Sequence, residues 1–130
     1  MADAVIACWR AKYEYNLLRP ITYIRQVIDP AWASPLNTPA FPEYVSAHSS
    51  QSAAAATSLE DLYGDNVPFV DHAGDDAGFA PRPFARIYAA AEEAGISRIY
   101  GGIHFPFGNV AGQWQGRCVA EVVKNLEWHK

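Results

Sequence analysis

The sequence predicts an all-α protein, and three observations carry that expectation. Apolar and aromatic residues recur at the 3–4 spacing of a helix face in several separate segments. Glycine and proline fall at the ends of those segments, where helices stop or start. No stretch alternates apolar and polar residues for long enough to signal a strand.

Residues 2–18 are the first expected helix, with Val5, Cys8, Trp9, Tyr13 and Leu17 along one face. Pro20 ends or kinks it. Residues 21–28 add a short second helix. Four prolines (Pro30, Pro35, Pro39 and Pro42) lie within 29–45 and forbid a continuous helix, so this segment is expected to be an extended, ordered loop. Residues 47–63 are rich in Ala and Ser, place Ala55, Leu59 and Leu62 on one face, and meet Gly64 as a stop. Residues 65–82 are turn-rich and acidic, and read as a loop. Pro83 sits at the favoured first position of a helix that runs to Ala94, before Gly95. Residues 96–103 look helical apart from Gly101-Gly102, a pair that permits close helix packing. A last helix is expected from about Val110 to Trp128, with Trp114, Cys118, Val119, Val122, Val123 and Leu126 as its apolar positions.

Composition narrows the function. A chain of 130 residues is one domain, and 50% apolar with 13% aromatic residues is enough for a core. The charged fraction of 18% is low, so part of the surface is expected to be covered. A net charge of −4 argues against a general binder of nucleic acid or anionic membrane. No apolar run reaches the roughly 18 residues of a membrane span. Met1-Ala2-Asp3 leads directly into amphipathic sequence, with no visible signal peptide; the compartment stays open, an exported parent protein included. Cys8 and Cys118 stand alone and read as free buried cysteines, not as a zinc site or disulfide framework. Asp71 to Asp76 lacks the spacing of a calcium loop and reads as a solvated acidic turn. His129 reads as a helix-end cation or a tail residue.

Three segments carry candidate chemistry. Lys12 and Arg19 are seven apart, close to two helical turns, and two fixed cations on one face suit an oxyanion. A proline-shaped loop, Phe41-Pro42-Glu43-Tyr44-Val45, runs into a helix start at Ser46-Ala47-His48. Free N–H groups there form an anion site, Ser46 adds a hydroxyl, and His48 is a candidate acid–base group. In the third segment Arg98 and His104 flank Gly101-Gly102, which can bend the chain to bring them together. Each segment alone is equally well a basic helix edge, an N-cap or a packed core histidine. Together they offer three cations, a helix N-terminus and two imidazoles.

The order Lys-x6-Arg-Pro, Ser-Ala-His and Ser-Arg-x5-His resembles the superfamily shared by vanadium-dependent haloperoxidases and type 2 phosphatidic acid phosphatases. The motifs stand at Lys12–Pro20, Ser46–His48 and Ser97–His104, and the flanking Trp9, Phe41-Pro42-x-Tyr44 and Gly102-x-His104-Phe105 lean to the haloperoxidase-like branch. The resemblance implies a helical bundle. It implies that His104 coordinates vanadium as vanadate, or attacks phosphorus in a phosphatase. Lys12, Arg19 and Arg98 would neutralise the anion's oxygens, with Ser46 and the Ala47 N–H completing the cradle. His48 would move protons, and Trp9 and Phe41 would line the pocket.

The motifs depart from the usual pattern in two places. Ala47 and Val45 stand where glycine and proline are usual, and Gly108 replaces the aspartate that orients the histidine in many phosphatases, so no orienting group for His104 is evident. The reading is a haloperoxidase acting on halide and hydrogen peroxide. The alternatives are an acid phosphatase using a phosphohistidine on phosphate monoesters, and an anion-binding domain without turnover. Proteins of this type carry a helical half before the first motif, where this chain has eleven residues. It is thus expected to be the catalytic C-terminal half, either self-associating as a homo-oligomer or part of a longer chain.

Overall fold

This computed structural model describes residues 1–126. The expectations for Trp128 and His129 lie outside that range. Within it run five helices: α1 (Ala2–Tyr15), α2 (Pro20–Val27), α3 (Ala47–Tyr63), α4 (Ile87–Tyr100) and α5 (Pro106–Lys124). Residues 29–46 connect α2 to α3 without regular structure, as the prolines predict. Among the described residues no helix is long and apolar enough to cross a membrane.

The local sequence explains most boundaries. Asn16 ends α1 in the left-handed conformation (φ 45°), which asparagine tolerates better than most residues, and its N–H bonds to the Lys12 carbonyl. The first helix is therefore shorter than the periodicity suggests. Pro20 starts α2 at the first position, where its missing N–H costs nothing. Ser46 caps α3 by accepting the Ser49 N–H, and Gly64 stops it. Pro106 opens α5, ahead of the Val110 start that the sequence indicates.

One helix start is overturned. Pro83 does not start a helix. It lies in β2 (Arg82–Phe84), which pairs antiparallel with β1 (Phe69–Asp71). Proline is tolerated because this two-stranded ribbon is all edge, and Phe69 stacks on Phe84 across it, centroids 5.3 Å apart. The next helix, α4, begins at Ile87 and absorbs Gly95 and residues 96–100. Three-residue strands are too short to print an alternating pattern. The acidic turn between them is exposed, with His72 Nδ1 2.8 Å from Asp75.

The core is built from small residues. α3 packs on α5 along one side and on α4 along another, and α1 touches both α3 and α5. On α5 the inward stripe is Gly108, Gly112 and Gly116, one turn apart, followed by Ala120. Gly112 and Gly116 face Ser46, Ser49, Ser50, Ala53 and Ala54 of the α3 region. A Cβ on Gly116 would lie 2.2 Å from the Ser50 carbonyl oxygen, and one on Gly112 2.6 Å from that of Ser46. The two backbones approach as closely as glycine allows. On α1 the buried residues are Ala4, Cys8 and Lys12, again one turn apart.

The large apolar residues face outward instead. Trp114 is 70% exposed, Val122 64% and Leu62 74%, although the periodicity assigns them to buried faces. Period counting finds α3 and α5 but assigns the wrong side of both. Cys8 is buried and Cys118 half-buried, both free. The Gly101-Gly102 pair serves a loop rather than a helix pair: Leu36 and Trp32 of the proline-rich segment pack where their Cβ atoms would stand, and Gly102 has a φ of 70°.

Gly116→Ala gains roughly 1 kcal/mol of helix propensity, but it must push the two helix backbones away from each other. The expected net result is a loss of about 1–3 kcal/mol in unfolding free energy by urea titration. Trp114→Gln, on the outward side of the same helix, should change it by less than about 0.5 kcal/mol. Equal stability of Gly116→Ala and the parent would reject the glycine seam.

Candidate active site

The candidate residues converge where the proline-rich loop meets the N-terminus of α3. Lys12 projects from the last turn of α1 and is fully buried. Its ammonium donates to the carbonyls of Pro42 (2.9 Å), Glu43 (3.0 Å) and Val45 (2.6 Å). All three protons are used, so Lys12 contributes charge to the cluster and ties down the loop. Burial pushes its pKa down to about 8, against the opposing pull of Cys8 and Glu43. The Cys8 thiol also points at the Val45 carbonyl, 3.7 Å away, and burial raises its pKa.

Arg19 is not on the Lys12 helix. It is the residue before Pro20, past the break at Asn16, in extended conformation. The two cations meet because the chain breaks, not through a shared helix face. Arg19 Nε donates to the Phe41 carbonyl (2.9 Å), and Nη1 to the Ile103 carbonyl (2.7 Å). Nη1 also lies 3.0 Å from His104 Nε2. Nη2 is buried with no partner. Phe41 lies against both cations, its centroid 5.1 Å from Lys12 Nζ and 5.0 Å from Arg19 Cζ. Trp9 sits beside it, centroids 5.3 Å apart, so both aromatics stand next to the cations.

Ser46 is fully buried at the cap of α3, its amide bonded to the Gly108 carbonyl (3.0 Å). Its hydroxyl meets Ser49 Oγ (2.8 Å), which in turn meets Asn109 Oδ1 (2.5 Å). The N–H groups of Ala47 and His48 lie in the first helical turn, where no intrahelical acceptor exists. His48 is exposed on that turn. Its pKa falls below the ordinary value through partial desolvation first, then through the charges of Arg98, His104 and Lys12. Arg98, whose charge is among the causes of that shift, is half-buried in the last turn of α4. Arg98 Nε donates to Ser97 Oγ (3.0 Å).

His104 is 5% exposed, just before α5. The sequence offers no evident group to orient it, and here the structure corrects the reading. Glu43, fully buried, places Oε1 2.7 Å from His104 Nδ1 and 3.0 Å from the Phe105 N–H. A guanidinium is donor-only, so the Arg19 contact requires a lone pair on Nε2. The ring hydrogen then belongs on Nδ1, donated to Glu43. Desolvation lowers the His104 pKa, followed by the raising effect of this Glu43 bond and the lowering effect of the cations. Glu43 stands within the proline-shaped loop of the second motif, yet nothing local signals its partner 61 residues away.

The arrangement suits an anion with several oxygens. It offers an unpartnered buried guanidinium nitrogen, free amides at a helix start, further positive charge and one imidazole lone pair. Among the described residues no three His, Cys, Asp or Glu side chains are grouped to hold a metal cation.

A helical bundle with cations and imidazoles gathered at one helix N-terminus defines the class of protein. The family profile of the VCPO second helical-bundle domain matches residues 1–31 and 26–128. The chain therefore belongs to the vanadium haloperoxidase superfamily. A solved structure described as the first bacterial vanadium-dependent iodoperoxidase is 46% identical, with a TM-score of 0.91 over 97% of this chain and 31% of that one. Holo- and apo-forms of a bacterial vanadium-dependent chloroperoxidase share the fold at 19% identity and a TM-score of 0.77, over 92% of this chain and 32% and 33% of theirs. The chain thus spans about a third of the length of these relatives. No curated protein sequence matches it.

Both histidines have folded pKa values below the ordinary 6.5, so the unfolded chain takes up protons first on acidification. Their effect on stability is nil well above that value and grows unfavourable as pH falls through it. Denaturant midpoints should therefore drop across the interval from about a unit above to about a unit below the ordinary histidine range. His48→Gln should make the drop shallower. An unchanged slope would remove His48 from the cluster.

Proposed function

We propose that this chain forms the oxyanion site of a vanadium-dependent haloperoxidase, which oxidises halide with hydrogen peroxide. The observation that carries the reading is the buried Arg19 with an unpartnered Nη2 beside the lone pair of His104 Nε2. A buried, half-used guanidinium is costly unless an anion completes it. The donor set fits vanadate: one imidazole nitrogen for the metal, and cations and amides for its oxygens.

In this reading His104 Nε2 would bind vanadate, with Arg19, Arg98, Ser46 Oγ and the Ala47 N–H holding its oxygens. Lys12 supplies charge from behind the loop that it anchors. Bound vanadate would supply the electrophilic centre that activates peroxide toward halide. His48 stays neutral near neutral pH because its pKa is lowered. It would then serve as the acid–base group, taking up and giving back a proton of hydrogen peroxide at one imidazole nitrogen. Trp9 and Phe41 shield the cations from water on one side, which strengthens their field. Iodide is the first halide to test, since the relative at 46% identity is an iodoperoxidase.

The test is oxidation of iodide and bromide by the full chain with added orthovanadate and peroxide, run beside hydrolysis of a phosphate monoester. Halide oxidation that needs orthovanadate, and that falls to background in His104→Ala, is expected. Removing the charged donor in Arg19→Met should weaken orthovanadate binding by about 2 kcal/mol, or roughly thirtyfold. Phosphomonoester turnover inhibited by orthovanadate, with no halide oxidation, would identify a phosphatase instead.

A further inference from the structure

Among the described residues, Glu43 is a fully buried acid whose charge the proposed chemistry does not use, and its Oε2 has no partner. A carboxylate in that setting is costly unless its bonds set something else in place. Oε1 accepts from two donors, His104 Nδ1 at 2.7 Å and the Phe105 amide at 3.0 Å. The residue is itself held from behind: the Glu43 amide donates to the Leu17 carbonyl (2.9 Å), and its carbonyl accepts from Lys12 (3.0 Å).

Gly108 lies on the other side of the carboxyl. A Cβ built there would lie 2.3 Å from Glu43 Oε1, 2.6 Å from Oε2 and 2.8 Å from the carboxyl carbon. The Glu43 carboxyl thus fills the space that a side chain at position 108 would need. That space is one turn along from His104 and within reach of its Nδ1.

We propose that Glu43 is the positioning residue of His104, fixing the ring hydrogen on Nδ1 so that Nε2 faces the anion, and that Gly108 is the room made for it. Positions 43 and 108 form an exchangeable pair: one carries the carboxylate and the other stays small. This rests on His104 as the anion's ligand. The geometry also explains how the site dispenses with an aspartate at 108. Acceptors paired with a ligating histidine raise its basicity and hold the ring's orientation.

The experiment has two independent readouts on the full chain. The first needs no ligand: 15N–1H correlation of the imidazole nitrogens in mildly alkaline buffer. The wild type should show a protonated Nδ1 and an unprotonated Nε2 for His104, and Glu43→Gln, whose amide oxygen still accepts, should keep that pattern. Glu43→Leu, with only the Arg19 contact left to favour that tautomer, should show a mixture of ring tautomers. The second is orthovanadate binding by calorimetry. Glu43→Leu should bind about 10- to 100-fold more weakly, and Glu43→Ala/Gly108→Asp should recover much of the loss, whereas Gly108→Asp alone should not bind well.

A proton on Nε2 in the wild type overturns the proposal. So does a folded Glu43→Leu protein with unchanged ring signals and affinity within about threefold of wild type. If Glu43→Leu fails to fold, the wild-type, Glu43→Gln and double-variant spectra decide. If the wild type shows the expected ring pattern but binds no orthovanadate, the anion reading fails while the Glu43–His104 assignment stands.

Discussion

The buried ammonium of Lys12 is the point on which the site depends. Three carbonyls, from Pro42, Glu43 and Val45, converge on it from one turn of loop. A buried charge cannot be left half-satisfied, so the loop must adopt the shape that presents those oxygens. That shape delivers Glu43 to His104 and Ser46 to the start of α3. Arg19 does the same from the other side, joining the carbonyls of Phe41 and Ile103, which lie far apart in the chain. Two cations thus gather three distant segments by their backbones, and the side chains of the site follow.

The glycine seam gives this arrangement a fixed base. Close approach of α3 and α5 sets the Ser46 amide on the Gly108 carbonyl, which locks the cap of one helix to the first turn of the other. His104 and Phe105 sit immediately before that turn. A shift of α5 would therefore move the imidazole and the helix N-terminus relative to each other. Small residues at the seam are what keep that relation narrow.

Much of this is legible in the sequence, though unevenly. The bounds of α3 follow from a cap serine and a stop glycine, which are local signals. Pro83 misleads because a proline at a helix start and one in a two-stranded ribbon look alike without the partner strand. Trp114, Val122 and Leu62 mislead because large apolar residues dominate a periodicity count, whereas here glycine, alanine and serine form the contact. The candidate residues stand in short motifs, and the folded chain brings those motifs to one place. The spacing of Lys12 and Arg19 reads as two turns of one helix, although a break at Asn16 produces their meeting. Glu43 escapes notice because a long-range side-chain contact leaves no local trace, and Lys12 hides its second task because backbone carbonyls carry no sequence identity.

The contact between Arg19 Nη1 and His104 Nε2 has a consequence for selectivity. The imidazole lone pair is never idle: the protein's own guanidinium competes for it. A guest reaches that lone pair only by displacing Nη1, although Nη2 stands without a partner to receive an acceptor from the start. Water and neutral alcohols are weak acceptors for the guanidinium, and a compact halide can satisfy the guanidinium but has no proton or electrophilic centre for the ring's lone pair. An oxyanion with an electrophilic central atom or a proton of its own would do both at once, with an oxygen for Arg19 and that centre or proton for Nε2. In the proposed reading the resting contact would sort guests by their charge and by what they can offer a lone pair, before shape is tested.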